Sequence, residues 1–515
     1  MTAMLDAYLA GLPAWLHDMP AGWAERLPDG TALIEDETVW NWRRFADEIT
    51  AASDALKTAG VRPGDRVMVV HENGLAASTL FFAASSAGAW AVPVNARLAD
   101  DEIDYIAEHA GARRMLFTIG VSCEAGDHAE RHDAGPFAWT GGGAVAISPS
   151  RDVSPEPVSG DPAKDVGVLL YTTGTTGRSK GVMLSHRSVV FVASGPGSPS
   201  PPGPEDRSYG ALPISHAYGL CSTFLRAVFG GAASHLQARF SASGMLQALA
   251  SGVTICNAVP AMYARLLDHL GKTGETLEAP KLRALTAGGA PVDPDLARRV
   301  EALFGLGVIN GYGLTEAGPT VSRSAAGDPD TSGPPIVGVE VRAVGPQGRD
   351  VAVGEPGDIW VRGPNLMLGY YRDAEATAVA MTPDGWLKTG DIGVLMDDGR
   401  ITIVDRAKEI IIRSGFNVSP VEVEEALNAH PGVLQSAVVG VALAGNETVV
   451  AFAEVSDGRA DETALLAWAR ERLAPYKRPE RIEVLEALPA APTGKVLKAK
   501  LRDRAAALVN EKGQA

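Results

Sequence analysis

The chain has 515 residues, 46% of them hydrophobic and 21% charged, with a formal net charge of -16 at neutral pH. That length exceeds what one ordinary core accommodates and predicts two or more domains of globular type. The acidic excess excludes nucleic acid or an anionic membrane as the main partner, so any phosphate-bearing ligand must be met by local positive charge and backbone donors.

The N-terminal MTAMLDAYLAGL has no basic stretch and carries Asp6 early, so no signal peptide is expected. In chain order, Phe45, Ile49, Ala52 and Leu56 share one face of a predicted helix that ends at Gly60. RVMVV at 66–70 predicts a strand. The uncharged stretch Gly74–Val94 is long enough to suggest a membrane span, but its Ser, Thr, Gly and Pro content divides it into a small-residue helix and a short strand. A helix over 101–111 and a strand over 114–119 follow. Helices between short apolar strands predict βαβ units and a largely parallel sheet. The three cysteines, Cys123, Cys221 and Cys256, fit neither a disulfide framework nor metal-ligand spacing and predict a reducing cytoplasm.

After a polar, Pro-rich loop at 148–165, the apolar run Val166–Tyr171 reads as a buried strand leading into YTTGTTGRSKG. Glycines there let the backbone approach a ligand, hydroxyls add donors, and Lys180 is a point charge, which suits a polyphosphate. The residues around Lys180 do not match a Walker A loop. The run GPGSPSPPGP at 195–204 predicts an extended, solvated loop. Near 405 the character changes: strand, polar turn and strand over ITIVDRAKEIIIRSG, then helix–strand–helix–strand, predict a compact α+β unit over 406–515.

Five further segments combine glycine with threonine, an acid, lysine or an aromatic: LPISHAYG (212–219), TAGGAP (286–291), NGYGLTE (310–316), KTGDIG (388–393) and PTGKV (492–496). With the glycine–threonine loop, in this order, they resemble the adenylate-forming superfamily of acyl-CoA synthetases, adenylation domains and firefly luciferase. The resemblance covers essentially the whole chain. It implies a large N-terminal domain of α/β layers with a distorted β-barrel over residues 1–405, and a small mobile α+β domain over 406–515. The implied activity is an AMP-forming acid–CoA ligase using ATP, Mg²⁺ and coenzyme A.

The resemblance also implies roles. Thr172, Thr173, Gly174, Thr175 and Thr176, with Lys180, would cradle the β- and γ-phosphates. Gly288, Gly289 and Ala290 would lie against the adenine and Tyr312 would stack on it, with Asn310, Gly311, Gly313 and Ile403 completing the nucleotide's surroundings. Thr315 would contact the α-phosphate and Glu316 would hold Mg²⁺, a hard cation suited to oxygen ligands. Asp391 would accept the ribose hydroxyls and Arg406 would brace the ribose. His216, by itself a residue type that is most often structural, would gate the path between acyl pocket and thiol. Lys495 would offset the charge that builds up during attack on the α-phosphate. Lys408 would be the hinge about which the small domain rotates, bringing Gly415 beside the pantetheine arm, while Lys477 and Arg478 would meet CoA phosphates or form a solvated basic turn.

Between His216 and His235 there is no Asp or Glu. An amino-acid ammonium in such a pocket would be unpaired and costly, so an acid without an α-amino group is expected. Candidate acyl-pocket residues are Tyr218, Gly219, Leu220 and Val259, with Cys221, Phe224, Ala258 and Ala261 beside them. Their small, apolar character predicts an aryl, hydroxycinnamic or medium-chain acid. Arg226 and Arg283 keep a dicarboxylate open. Loading a separate carrier protein, a non-catalytic nucleotide-binding role and luciferase-type oxygenation are the competing readings. Ser215 before His216 and the 195–204 run depart from the superfamily's usual pattern. The partner expected is a small carboxylic acid, with no nucleic acid and no integral membrane contact, and a homodimer is one assembly left open.

Overall fold

Two eight-stranded sheets carry the larger part of the chain in the computed structural model, which describes residues 2–172, 179–198, 200–406, 409–413, 416–443, 446–456, 460–491 and 495–512. In the first sheet, Arg66–His71 lies between Trp90–Asn95 and Ala112–Phe117, all parallel. Every residue of Arg66–His71 and Trp90–Asn95 is buried, as a parallel strand covered on both faces requires. Val166–Thr172 continues the sheet in parallel and then turns back antiparallel onto Lys180–Ser185.

Helix Trp42–Thr58 buries Phe45, Ile49, Ala52 and Leu56, the stripe its spacing predicts. It is capped by Ala59, and Gly60 takes the left-handed position just beyond, at φ 86°. The uncharged stretch becomes the buried helix Leu75–Ser86 and the strand Trp90–Asn95. No described helix is long and apolar enough to cross a membrane. The Phe82 ring lies 5.7 Å from Phe45 and 5.9 Å from Phe224, tying this helix layer to the segment that follows His216.

The second sheet runs Arg207–Gly210, Ile255–Ala258, Ala284–Ala287 and Val308–Tyr312 in parallel. Their carboxyl ends therefore share one rim, the usual place for ligands in open α/β sheets. The segments 212–219, 286–291 and 310–316 all sit at that rim. A four-stranded antiparallel sheet follows, Glu340–Val344, Pro356–Arg362, Leu387–Leu395 and Ile401–Arg406.

The remaining residues build the hairpin Ile411–Arg413/Phe416–Val418 and the three-stranded sheet Val433–Leu443, Asn446–Val455, Arg481–Leu485. Alternation along Asn446–Val455 sends Val449, Ala451 and Ala453 into one core and Val450 and Phe452 into another. Helices Pro420–Asn428 and Glu462–Arg472 cover the first face, and Lys498–Lys512 the second.

Two local features bear on the site. Helix His186–Ser194 stops at Gly195, which adopts φ 58°, and the described residues of 195–204 form neither helix nor strand. Tyr218–Leu225 winds as a π-helix before Arg226–Gly230 resumes α-helical geometry. Single wide turns of this kind recur at functional sites.

Candidate active site

Strand Val166–Thr172 brings Thr172 to a cavity of about 850 Å³, and Lys180 stands in register opposite it at the start of the return strand. The Lys180 ammonium lies 3.9 Å from the Asp373 carboxylate and 4.8 Å from the centre of the Tyr370 ring. The Tyr370 hydroxyl donates to Glu316 at 2.9 Å. Lys180, Tyr370 and Glu316 thus form one connected edge. Thr315 and Glu316 ride on a short 3₁₀ turn, with Thr315 buried beneath it.

Strand Val308–Tyr312 delivers Asn310, Gly311 and Tyr312 to the same cavity, followed by Gly313. The Tyr312 hydroxyl donates to the buried Asp391 carboxylate at 2.7 Å. Asp391 pairs across the antiparallel sheet with Arg406, the last residue of its strand. Gly288 and Gly289 follow strand Ala284–Ala287, and a Cβ on Gly288 would sit 3.2 Å from the Tyr218 ring. A side chain there would crowd the Tyr218 ring, so the aromatic neighbour favours glycine as a close ligand would.

His216 accepts at Nδ1 from the Tyr218 N–H at 3.4 Å. Burial, reinforced by the Lys495 ammonium, pushes its pKa down to about 4, so the ring is neutral at pH 7. Lys495 comes from the far end of the chain, where its carbonyl accepts from the Ala491 N–H at 2.7 Å. It lines the same cavity as Thr172, Lys180, His216 and Asp391. A second cavity of about 1490 Å³ shares His216, Tyr218, Asp391 and Lys495 with the first. Gly219, Val259, Ala261, Ala290 and Ile403 line this second space.

Other predicted residues are placed differently. Leu220 does not reach either cavity: it is fully buried in the main core together with Cys221 and Phe224, because the π-helix turns that face inward. Ala258 is fully buried and offers its carbonyl to the Tyr218 hydroxyl at 3.5 Å. Lys477 and Arg478 line neither cavity. The Lys477 ammonium is held by Glu422 at 2.5 and 2.7 Å, and Arg478 donates to the carbonyls of Leu473 and Arg470 at 2.8 and 2.9 Å. Arg283 is turned from the cavity by a bidentate pair with the buried Asp206, at 2.7 and 2.5 Å. Thr173, Gly174, Thr175, Thr176, Lys408 and Gly415 lie outside the described residues.

The acyl side is more polar than its sequence suggests. The Tyr218 hydroxyl meets Thr286 at 3.1 Å, Thr286 donates to Asn257 at 2.8 Å, and Asn257 donates to Ser208 at 3.0 Å. Arg226 and Arg323 line the same cavity. Tyr370 and Arg323 are residues the sequence did not single out; neither stands in a glycine-rich segment that could have drawn notice.

The family profile described as AMP-binding enzyme matches residues 21–371, and that described as AMP-binding enzyme C-terminal domain matches residues 422–495. The chain belongs to the AMP-binding enzyme family. It is 35% identical over 505 residues to a feruloyl-CoA synthase from an Amycolatopsis species, covering 96% of this chain and 99% of that one. Among solved structures, it resembles the anthranilate CoA ligase AuaEII in complex with anthranoyl-AMP at 25% identity, with a TM-score of 0.82 and coverage of 98% and 99%. It also resembles ATP-bound MatB from Rhodopseudomonas palustris at 28% identity, with a TM-score of 0.78 and coverage of 95% and 99%. This AMP-binding enzyme is an AMP-forming acid–thiol ligase, an acyl-CoA synthetase that uses ATP and takes coenzyme A as co-substrate.

Among the described residues, no group of three or more His, Cys, Asp or Glu side chains gathers to hold a metal ion. Glu316 at the Lys180–Tyr370 edge fits a Mg²⁺ ion that takes one carboxylate and completes its shell with nucleotide phosphates and water.

Proposed function

We propose that this ligase works by two half-reactions on one carbon, with residues 1–405 as the adenylation domain and 406–515 as a mobile domain carrying Lys495. A substrate carboxylate oxygen attacks the α-phosphorus of ATP. The bond from that phosphorus to the bridging oxygen breaks, and pyrophosphate leaves with the electron pair. The CoA sulfur then attacks the acyl carbon, the C–O bond to AMP breaks, and the thiol proton passes to solvent.

In this reading Thr172–Thr176 and Lys180 hold the β- and γ-phosphates, Thr315 the α-phosphate, and Glu316 the Mg²⁺ that offsets phosphate charge when bound. Tyr312 and the 288–290 segment flank the adenine, while Asp391 and Arg406 take the ribose. Lys495 stabilises charge on the α-phosphate in the first step. His216 gates the thiol path, and its low pKa makes it a weak base at pH 7. Rotation about Lys408 withdraws Lys495 for the second step and brings Gly415 towards the pantetheine arm. A CoA role for Lys477 and Arg478 would require release from their present partners.

One observation carries the reading: Lys495, from the last quarter of the chain, lines the same cavity as Thr172, Lys180 and Asp391. The acid has no α-amino group, which the absence of Asp and Glu between His216 and His235 supports. The names of the aryl-activating relatives support an aryl acid; the arginines of this chain support one with a second anion. A cytoplasmic setting fits three cysteines that are all free, and light scattering would test for a homodimer. The ligase reading is tested with Lys495→Ala. Acid-dependent pyrophosphate exchange should be lost, while thioester formation from a supplied acyl-adenylate should persist. Equal loss of both half-reactions would contradict the rotating lysine.

A further inference from the structure

The acyl end of the cavity holds two guanidinium groups with no carboxylate partner. Arg226 donates to the Ser198 hydroxyl at 2.6 Å, and its Nη1 is buried without a hydrogen-bond partner. Arg323, on strand Ser322–Ala326, projects into the same cavity. Neither arginine has an ion pair among the described residues, and Asp206 is taken by Arg283. Burial lowers the pKa of both, and that of Arg226 falls to about 9, with the charge of Arg323 as the next cause. Arg226 thus feels the charge of Arg323, which lines the same cavity.

The surroundings are arranged to keep them there. At Gly195 a Cβ would fall 1.4 Å from the Arg226 Nη1, so the left-handed glycine that ends helix His186–Ser194 is what admits the guanidinium. Ser198 and Ser200, from the irregular 195–204 run, then roof the cavity. Arg283 fastens that roof through the Pro201 carbonyl at 3.0 Å. The walls add hydroxyls, such as Ser222 against Thr320 at 2.9 Å, which solvate charge without neutralising it. A pocket that only had to receive an apolar chain would gain from replacing unpaired, half-buried cations by packed side chains. Fork-shaped guanidinium donors match a carboxylate or sulfonate.

We propose that the acid activated by this enzyme carries a second anionic group, carboxylate or sulfonate, received between Arg226 and Arg323 at the end of the cavity away from Lys495. The inference rests on the ligase reading of the cavity. It replaces Arg283, which the sequence offered for this purpose, with Arg323.

The test is a panel of acids with ATP, Mg²⁺ and CoA, scored by pyrophosphate release and thioester mass. Malonate, succinate and glutarate form one arm and sulfoacetate a second, separating carboxylate from sulfonate recognition. Butyrate, hexanoate and ferulate form the third. The best doubly charged acid should exceed every singly charged acid by at least about 10²-fold in kcat/KM. In Arg323→Met that advantage should collapse through KM more than kcat, while Arg323→Lys retains part of it. Equal or better use of butyrate, hexanoate or ferulate by the unmodified enzyme would overturn the proposal and leave the ligase reading intact. Pyrophosphate release with no acid in any arm would remove both. The comparison among acids needs no variant, so a poorly folded Arg323→Met does not blunt it.

Discussion

The two ends of the cavity are built in opposite ways. At the nucleotide end, contiguous segments supply several groups each: Thr172 and Lys180 from one hairpin, Asn310–Glu316 from one strand and its turn. At the acyl end, single side chains arrive from separate elements: Tyr218 and Arg226 from the π-helix and its continuation, Asn257 and Thr286 from two strands, Arg323 from a third, Ser198 from a loop. Chemistry common to every substrate is thus encoded locally, and selectivity is dispersed.

That contrast can be broken by mutation. Lys495→Ala should lower adenylate formation by at least about 10³-fold, the loss expected when a preorganised charge is removed from a transition state. Asp391→Ala should raise KM for ATP by about 10²-fold by removing the Tyr312 partner and a charged acceptor. KM for the acid should stay unchanged, as isothermal titration with each ligand would check. Gly195→Val should do the reverse, raising KM for the acid by about tenfold, because valine resists the left-handed conformation of Gly195 and its side chain would displace the Arg226 guanidinium. A shift in ATP affinity would show the two ends to be coupled.

The smallest effect on activity is expected from pH. His71 and His186, both buried in the framework, and His216 at the site have pKa values lowered to about 4, with burial the first cause in each. Unfolding lets each return to its ordinary value and bind a proton. Their stabilisation is therefore complete above about pH 6.5 and lost as pH falls towards 4, each contributing at most about 3 kcal/mol. The urea midpoint should drop steadily over that window; a flat midpoint would show that these rings are solvated.

Much of this was legible in the sequence for physical reasons. The stripe Phe45, Ile49, Ala52, Leu56 marks a helix because burial selects one face. The uncharged 74–94 stretch resolves into a helix and a strand because small residues and Pro93 cannot sustain one long apolar helix. The acyl side was legible only in part. A π-helix has no residue pattern of its own, yet it decides that Leu220 faces the core while Tyr218 faces the cavity. Arg323 is one charge in a strand of small residues, and its meaning comes from having no ion pair among the described residues. Arg283 looked equivalent until Asp206 was found beside it.

The stretch 195–204 separates scaffold from selectivity. Since its described residues belong to no sheet and are held chiefly by the side chains of Arg226 and Arg283, the stretch can be exchanged for that of another enzyme without disturbing strand register. Such grafts would reshape which acids are admitted while the machinery for splitting ATP is inherited unchanged.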